Sequence, residues 1–426
     1  MDDLWVVLPH LGAGGAQKVG LLAAAHFSTQ GYRVKVLTLI HGHPVLHAIP
    51  KGVKHQELDS QSNLHPWLLD SWNRSWFARA RRFGIAQCIN AHRLLIRAQL
   101  VIMRPWLESR ITPGCDDFTN LFFADRATSL GGARLRSLKA LIEQERPRRL
   151  LSMLTRTNIL CCLAAWDLPI HVVVSERNDP ARQRLDRVWS LLRRLCYRRA
   201  DVVTANTEGV LRALKAMGHW QRLELLPNPV PASLQASGQR VGLDLRQSEV
   251  LALARLQPQK GLDLLLRAFA LLAPSSRTGW RLTLVGEGPE GTALKHLCAE
   301  LEIDDVVFFE GFRSDTQTFL RRASIFALPS RFEGMPNALL EAMAFGLPSV
   351  VSDASPGPLE MVRDGVEGLV VPSENVEALS RALERLIQDE GLRERCGAEA
   401  RTTLASLDWS VIEPRWRSVL AFPKEG

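Results

Sequence analysis

Between an apolar, strand-like run and an apolar, helix-like run, the chain reads Phe332-Glu333-Gly334-Met335-Pro336-Asn337-Ala338-Leu339-Leu340-Glu341-Ala342. Pro336 suits the first turn of a helix, because its missing N–H would have no partner there. Glu333 is then predicted in the loop before the helix, and Glu341 on the second helical turn. Gly334 and the free N–H groups of a helix start lie between them and can bind phosphate. Carboxylates that accept sugar hydroxyls, beside amides that bind phosphate, predict a nucleotide-sugar site.

Strand-like and helix-like runs alternate around this stretch and over most of the first half of the chain. The predicted strands are Leu4–Leu8, Val34–Leu39, Leu150–Leu154, His171–Ser175, Val202–Ala205, Leu223–Leu226, Val250–Ala254, Arg281–Val285, Val306–Phe309, Ile325–Leu328, Ser349–Ser352 and Leu369–Val371. This alternation predicts the α/β class, with parallel sheets covered by helices on both faces.

A polar segment with proline and glycine, from Pro229 to Gln239, interrupts the alternation and predicts a linker. The resulting fold is two Rossmann-like doubly wound domains that face each other across a cleft. We expect an N-terminal domain of residues 1–230, a linker of residues 231–240 and a C-terminal domain of residues 241–408. Residues 409–426 are expected to form a helix that packs back on the N-terminal domain.

Residues 63–111 depart from the alternation and are predicted to form helices inserted in the first domain. They mix aromatic residues with arginines, namely Trp67, Trp72, Trp76, Phe77, Phe83 and Trp106 with Arg74, Arg79, Arg81, Arg82, Arg93, Arg97, Arg104 and Arg110. Tryptophan favours the headgroup zone of a bilayer, and arginine is attracted to an anionic leaflet. The insert therefore predicts peripheral binding to an anionic membrane surface, with a solvated or partner-binding insert as the alternative.

Charge is unevenly distributed along the chain. Residues 1–234 hold 32 Lys and Arg against 18 Asp and Glu, whereas residues 235–426 hold 21 against 27, and the net charge is +8. The basic first half is expected to meet an anionic partner, either nucleic acid, a membrane or a phosphate-linked lipid. No nucleic-acid-binding motif is recognisable, so we expect no nucleic acid partner.

The sequence also bears on the cellular compartment. The start Met1-Asp2-Asp3-Leu4 lacks the basic region of a signal peptide, and no apolar run is long enough to span a bilayer. The seven cysteines have no CxxC spacing and are expected to be reduced thiols. These features predict a cytoplasmic protein, peripheral on the cytoplasmic face of the inner membrane.

Arg255 follows the predicted strand Val250–Ala254, and Lys260 precedes the next helix. Two cations at one sheet edge suit a diphosphate leaving group, whose charge grows as its bond breaks. Two ordinary cations in a solvated loop are the alternative, and the two nearby glutamates favour the diphosphate.

Two glycine turns also follow predicted strands. Val285-Gly286-Glu287-Gly288-Pro289 would let a ligand approach the backbone, although a turn without a ligand has the same pattern. Gly12-Ala13-Gly14-Gly15 resembles a dinucleotide loop, but the second strand does not end in the acidic residue that NAD requires. Close approach to the reacting sugar and diphosphate is the preferred interpretation, and a packing turn remains possible.

The polar cluster Ser175-Glu176-Arg177-Asn178-Asp179-Pro180 follows an apolar strand. We predict that Glu176, Arg177 and Asn178 lie on the acceptor side of the cleft, and the alternative is a helix-entry loop capped by Asp179. The histidines are interpreted as surface or hydrogen-bonded residues. His41 and His43 lack the carboxylate or cysteine that would complete a metal set, so we predict no metal and no cofactor.

These motifs together resemble the retaining glycosyltransferases of family 4, which have a GT-B-type fold. The matching segments are Ala254-Arg255-Leu256 to Lys260-Gly261, residues 285–289, Gly311-Phe312, Leu328-Pro329-Ser330, the pair Glu333 and Glu341, Gly346-Leu347-Pro348, Gly14-Gly15-Ala16, Asn206 and Pro227-Asn228-Pro229. The resemblance covers nearly the whole chain, and Ser175 to Pro180 is similar to polysaccharide and lipid-linked oligosaccharide transferases. The insert 63–111 departs from the compact family pattern.

The resemblance implies a role for each matching residue. Arg255 and Lys260 would bind the donor diphosphate, Glu341 would hold the ribose, and Glu333 would lie near the transferred sugar. The remaining donor-binding residues that it implies are Gly14, Gly15, Gly286, Phe312, Gly334, Met335, Pro336 and Asn337. It also implies retention without an obligatory metal, a UDP-linked donor, and a glycan acceptor that is carried on a polyprenyl diphosphate.

The expected mechanism is front-face transfer, in which the departing diphosphate takes the proton of the acceptor hydroxyl. A double displacement with a carboxylate nucleophile is the chemical alternative. Three other functions fit a fold of this kind: a nucleotide-sugar epimerase, a non-catalytic protein that binds a membrane or nucleic acid, and a phosphorylase. The four charged residues Arg255, Lys260, Glu333 and Glu341 argue against a dead site, and no lysine is placed to hold a phosphorylase cofactor.

Overall fold

The computed structural model describes residues 1–12, 14–58, 91–112, 118–183, 185–239 and 246–423. Two parallel β-sheets form its framework, with seven strands in the first and six in the second. Most strand residues of both sheets are buried, and the exceptions lie mainly in three edge strands. Such continuous burial is what sheets covered on both faces require. The predicted α/β class with two doubly wound domains is confirmed.

The first sheet has the order β3-β2-β1-β4-β5-β6-β7, and every neighbouring pair is parallel. Its strands are β1 Leu4–Leu8, β2 Val34–Thr38, β3 Lys54–Glu57, β4 Arg149–Met153, β5 His171–Glu176, β6 Val202–Ala205 and β7 Leu223–Leu225. The strand order reverses between β1 and β4, so a crevice opens at their carboxyl ends.

The second sheet repeats this plan with the order β10-β9-β8-β11-β12-β13. Its strands are β8 Glu249–Leu253, β9 Arg281–Val285, β10 Val307–Gly311, β11 Ile325–Leu328, β12 Ser349–Ser352 and β13 Gly368–Val371. The corresponding reversal lies between β8 and β11, so the residues that follow these two strands share one edge.

Helices cover both sheets. In the first domain they are α1 Gly15–Thr29, α2 at 91–102, α3 Arg104–Arg110, α4 Phe118–Glu145, α5 Thr155–Ala164, α6 Arg187–Cys196, α7 Glu208–Met217 and α8 Ala232–Gln239. In the second they are α9 Leu262–Ala270, α10 Pro274–Arg277, α11 Gly291–Glu300, α12 Gln317–Arg322, α13 Asn337–Ala344, α14 Pro356–Leu359, α15 Val376–Gln388, α16 Glu390–Leu404 and α17 Trp409–Val419.

Two elements were not predicted from the sequence. Strand β3 was missed because its residues, Lys-His-Gln-Glu, are polar and lie at the sheet edge with no apolar pattern. Helix α8 occupies Ala232–Gln239, within the predicted linker of residues 231–240. This helix packs so closely on α13 that a Cβ at Gly238 would lie 1.9 Å from the carbonyl oxygen of Ala344.

The C-terminal helix α17 crosses to the first domain. Trp416 is fully buried there among Leu4, Val6 and Phe27. At the end of this helix, the carbonyl of Val419 lies 2.8 Å from Nε2 of His171, a β5 residue. These contacts tie the end of the second domain to the first sheet.

The insert 63–111 is described only over residues 91–111. There, Ile96, Leu100 and Leu107 of α2 and α3 enter the core of the first domain. Trp106 packs against that core instead of projecting freely. The aromatic residues and arginines between 63 and 90 lie outside the described residues. No helix in the described part of the chain is both long enough and apolar enough to cross a bilayer.

Candidate active site

A cavity of about 560 Å³ lies between the carboxyl ends of the two sheets. Its walls come from both domains, from the segments after β1 and β5 on one side and after β8, β9 and β11 on the other. Most of the site residues predicted from the sequence line it, namely Gly14, Gly15, Arg177, Asn178, Arg255, Lys260, Gly286, Phe312, Glu333, Met335, Pro336, Asn337 and Glu341. Glu176 and Gly334 are the two predicted residues outside this lining.

Glu333 lies in the loop between β11 and α13 and is only 6% exposed. Its Oε1 accepts hydrogen bonds from Lys260 Nζ at 2.5 Å and Ser330 Oγ at 2.8 Å. The backbone N–H of Glu333 donates to Ser355 Oγ at 2.8 Å. A buried carboxylate is retained only when it is paired and hydrogen-bonded, and these three partners fix Glu333 at the cavity wall.

Glu341 lies on the second turn of α13 and is 7% exposed. Its Oε1 accepts from Lys18 Nζ at 2.5 Å, and its Oε2 accepts from Thr316 Oγ1 at 3.0 Å. Lys18 belongs to α1, so this ion pair joins the two domains. Sequence reasoning missed Lys18 and Thr316. Lys18 could have been found, because it stands three positions after Gly15 on the first turn of a helix that opens at a glycine loop.

The start of α13 meets the first domain directly. Pro336 occupies the N-cap position, one residue before the helix, and not its first turn as predicted. Asn337 opens the helix and donates from Nδ2 to the carbonyl oxygen of Gly15 at 2.8 Å. A Cβ at Gly15 would lie 2.9 Å from that Nδ2, so a side chain there would displace the Asn337 amide.

Gly334 serves interdomain packing and does not line the cavity. A Cβ at this position would lie 2.4 Å from the carbonyl oxygen of Arg177. Glycine is therefore required so that the β11–α13 loop can contact the end of β5.

Arg255 is exposed in the cavity wall at the end of β8. The neighbouring Gly286 has φ 142°, and a Cβ there would lie 1.9 Å from the carbonyl oxygen of Ala254. Only glycine allows the β9 turn to pack so closely beside Arg255. Arg255 and Lys260 thus contribute two cations to the edge that holds Glu333.

Two histidines line the cavity on the side of the first domain, and sequence reasoning did not single them out. His10 stacks on His43 with ring centroids 3.9 Å apart. Burial, His43 and Arg255 lower the pKa of His10, and burial and Lys18 lower the pKa of His47. Both imidazoles are therefore expected to be neutral hydrogen-bonding groups at neutral pH.

Glu176, which the sequence predicted on the acceptor side, does not line the cavity. It is 1% exposed and accepts hydrogen bonds from Tyr197 and from Thr155 Oγ1 at 3.0 Å. Burial raises its pKa, opposed by Arg193, Tyr197 and Thr155. Glu176 is the last residue of β5 and is held by its hydrogen bonds within the first domain, whereas Arg177 and Asn178 follow the strand and line the cavity.

The described residues contain no cluster of three or more His, Cys, Asp or Glu that could hold a metal ion. The five cysteines that they include, at positions 161, 162, 196, 298 and 396, are buried and free.

Two family descriptions match the chain. Residues 236–403 match "Glycosyl transferases group 1", and residues 119–229 match "Glycosyl transferase 4-like domain". The chain belongs to the GT-B glycosyltransferases of family 4 type. The prediction of a GT-B glycosyltransferase of family 4 type is confirmed, and retention of the anomeric configuration stays a prediction.

Curated relatives of this chain carry names that refer to bacterial glycan synthesis. Lipopolysaccharide core biosynthesis glycosyltransferase LpsE of Rhizobium meliloti is 31% identical over 224 residues, which cover 52% of this chain and 64% of that protein. The N-acetylgalactosamine-N,N'-diacetylbacillosaminyl-diphospho-undecaprenol 4-alpha-N-acetylgalactosaminyltransferase of Campylobacter jejuni is 29% identical over 218 residues, which cover 50% of this chain and 58% of that protein. The chain thus aligns with less than two thirds of either protein.

Solved structures of the same fold extend over the whole chain. Anabaena Alr3699/HepE in complex with UDP-glucose superposes with a TM-score of 0.71 at 16% identity, over 99% of this chain and 100% of that one. At this identity the likeness shows the GT-B fold, and the roles of individual residues rest on the geometry described above.

Proposed function

We propose that this chain is a retaining, metal-independent glycosyltransferase that moves a hexose or N-acetylhexosamine from a UDP-linked sugar to a glycan acceptor. One observation carries the proposal: the cavity brings Glu333, Glu341, Arg255 and Lys260 together at the switch point of the second sheet. The Anabaena structure contains UDP-glucose, and this supports a UDP-linked donor.

The donor would bind mainly to the second domain. Arg255, Lys260 and the amides at the start of α13 surround the position for a diphosphate, where two cations and a helix N-terminus attract negative charge. Glu341 would accept the ribose hydroxyls in place of Lys18 and Thr316. Gly14 and Gly15 of the first domain would close on the diphosphate from the opposite side.

In the proposed reaction, the bond between the anomeric carbon and the diphosphate oxygen breaks. The acceptor oxygen then bonds to that carbon on the same face. The acceptor's proton passes to the departing diphosphate, so no separate protein base is required. Arg255 and Lys260 would lower the barrier, because the negative charge that they neutralise is largest in the transition state. Glu333 would lie near the transferred sugar, oriented by Lys260 and Ser330.

The acceptor is proposed to be a glycan on a polyprenyl diphosphate, delivered from an anionic membrane surface. The name of the Campylobacter relative, a diphospho-undecaprenol transferase, supports this choice. Helix α2 would contact the membrane, since its Leu94, Leu95 and Ile102 are 65%, 64% and 77% exposed. The exposed arginines Arg93 and Arg104 flank these apolar side chains. An apolar strip with arginines is suited to the interface of an anionic leaflet.

A donor screen tests the proposed function. The purified chain is incubated with UDP-, GDP- and ADP-sugars, and the released nucleotide is measured with and without EDTA. We expect release from a UDP-sugar, unchanged by EDTA and accelerated by a polyprenyl-diphosphate glycan, with the anomeric configuration retained in the product. Activity that EDTA abolishes and Mg²⁺ restores would refute metal independence, and an inverted product would refute retention. If a free epimerised sugar were the sole product, the chain would be an epimerase and not a transferase.

A further inference from the structure

Arg177 is a buried cation beside the cavity with an unusual set of partners. It is 8% exposed and lies at the carboxyl end of β5. Among the described residues, no carboxylate oxygen lies within 4.0 Å of its guanidinium, and Nε and Nη2 have no hydrogen-bond partner. Burial lowers its pKa to about 9. A buried charge without an ion-pair partner is costly, so its retention suggests a role beyond stability.

The remaining nitrogen of Arg177 begins a chain of hydrogen bonds across the domains. Nη1 donates to Asn228 Oδ1 at 2.7 Å. Asn228 Nδ2 donates to Asn337 Oδ1 at 2.6 Å and to the carbonyl oxygen of Met335 at 3.0 Å. Asn337 Nδ2 then donates to the carbonyl oxygen of Gly15 at 2.8 Å. This series of hydrogen bonds therefore runs from the first sheet, through the segment after β7, to the start of α13 and back to the glycine loop.

Groups that can only donate or only accept stand at both ends of this series of hydrogen bonds, and together they leave its two amides one orientation. A guanidinium can only donate, so the amide of Asn228 must present its oxygen to Arg177 and its NH₂ group to Asn337. Asn337 must then turn its oxygen to Asn228, which leaves its NH₂ group for Gly15. The carbonyl oxygens of Met335 and Gly15 favour the same orientations, because they can only accept. Without a donor at position 177, the Asn228 oxygen would lose its charged partner, and Asn228 would no longer be anchored to the first sheet.

We propose that Arg177 is a positioning residue that fixes the Asn337–Gly15 contact and thereby aligns the two walls of the donor cavity. The inference rests on the proposed function, because the start of α13 and the glycine loop are the elements expected to enclose the diphosphate. It replaces the acceptor-side role that the sequence suggested for Arg177. Alignment of groups that do not themselves react affects turnover strongly, since displacement by about 1 Å can cost on the order of 100-fold in rate.

The decisive comparison is between Arg177→Met and Arg177→Lys. Methionine removes the donor, whereas lysine keeps a group that can only donate and so preserves the direction of the chain. We expect Arg177→Met to lower kcat for the UDP-sugar on the order of 10- to 100-fold. UDP affinity should change much less, because the second domain makes most of the expected donor contacts. Arg177→Lys should recover a substantial part of the lost turnover. Equal defects in the two variants would overturn the proposal.

Arg199→Met provides the matched control for the loss of a buried arginine. Arg199 is 9% exposed and donates to the carbonyl oxygens of Ala165, Trp166, Leu168 and Ile170, away from the cavity. Hydrogen–deuterium exchange over residues 14–20 and 335–341 supplies a readout that does not depend on activity. Faster exchange at both segments in Arg177→Met, but not in Arg199→Met, supports the proposal. Wild-type exchange in Arg177→Met overturns it.

A double-mutant cycle with Asn228→Ala completes the test. If Arg177 acts through Asn228, adding Arg177→Met to Asn228→Ala should change kcat less than twofold, whereas independent effects would multiply. Multiplying effects would overturn the proposal. If the wild type turns over no nucleotide sugar, the proposed function fails, and the exchange comparison still decides whether Arg177 joins the domains.

Discussion

Lys18 Nζ lies 2.5 Å from Glu341 Oε1, so a cation of the first domain forms an ion pair with the carboxylate that is expected to hold the donor ribose. The Lys18 side chain is 35% exposed and that of Glu341 is 10% exposed. The pair is therefore partly screened by solvent and contributes little to stability. Its importance is geometric, since a ribose can reach Oε1 only if Lys18 gives way.

The Lys18–Glu341 pair predicts that Lys18→Met will bind uridine more tightly than the wild type does. Removing the competing cation should gain about 0.2–1 kcal/mol, the range of partly exposed ion pairs. Lys18→Arg keeps the charge and should leave uridine affinity near the wild-type value. Calorimetry with uridine, which has no phosphate, isolates this effect. Weaker uridine binding by Lys18→Met would show that Lys18 assists the nucleoside.

The buried position of Glu341 predicts a different result for Glu341→Gln. This variant keeps the shape of the side chain but loses a charge-assisted hydrogen bond to the ribose, so donor affinity should fall by about 1.5–3 kcal/mol. The affinity for UDP can be measured by calorimetry, with circular dichroism as the check on folding. A well-folded variant with native donor affinity and turnover would show that Glu341 does not bind the donor.

Lys260, which contacts Glu333, is expected to act on charge that develops in the transition state. Lys260→Ala should lower kcat, because the activation free energy should rise by about 2.7–4 kcal/mol. The affinity for the donor should change less. Lys260→Arg should not restore turnover fully, because a planar fork cannot replace a compact ammonium in a tight site. Single-turnover kinetics separate the two effects. Wild-type rates in Lys260→Ala would place the diphosphate elsewhere.

The exposed apolar residues of α2 predict membrane binding. Changing Leu94, Leu95 and Ile102 to serine should weaken sedimentation with anionic vesicles at low salt but leave donor hydrolysis intact. Leu271→Ser is the matched control, because Leu271 is 58% exposed on the second domain. Reversing Arg79, Arg81 and Arg82 to glutamate should also abolish binding, and high salt should release the wild type. Failure of the wild type to bind at low salt would refute the membrane proposal.

The raised pKa of Glu176 predicts how the free energy of unfolding depends on pH. Its pKa is raised above the ordinary value of 4.5, chiefly by burial. A carboxyl whose folded pKa is raised contributes stability that is fully present below pH 4.5 and is lost as the pH rises through the folded pKa. The free energy of unfolding of the wild type, relative to Glu176→Gln, should therefore decrease above pH 4.5. Urea titrations at several pH values measure it, and parallel profiles would show that Glu176 is not perturbed.

The sequence predicted the regular elements well where the local signal was strong. The strands Leu4–Leu8, Arg281–Val285, Ile325–Leu328 and Ser349–Ser352 have the predicted boundaries. Each is a short apolar run bounded by polar or turn-forming residues, and such runs mark buried parallel strands. Strand β3 and helix α8 were missed because each is defined by its neighbours, the β2 edge and α13, and not by an apolar pattern of its own.

The candidate site was predictable to the extent that its residues follow strands at one sheet edge. Arg255, Lys260, Glu333 and Glu341 were found in this way, because the carboxyl ends of parallel strands converge. The burial of Glu176 could not be read from its neighbours in the sequence, because it depends on hydrogen bonds from Thr155 and Tyr197, 21 residues away on either side. Lys18 and the two cavity histidines come from the first domain, and their approach to the site depends on how the domains oppose each other. Thr316 precedes α12, and its contact with Glu341 depends on packing within the second domain.

The sequence by itself determined the α/β class, the two-domain division and the charged residues that meet at one edge of the cavity, because periodicity and short-range spacing encode them. The tertiary structure decided that Lys18 pairs with Glu341 over 323 residues of sequence, and that Arg177 reaches Gly15 through Asn228 and Asn337. Such contacts depend on the packing of one sheet edge against another. Their geometry is set by glycines at 15 and 334 that allow close approach, and no local pattern in the sequence specifies it.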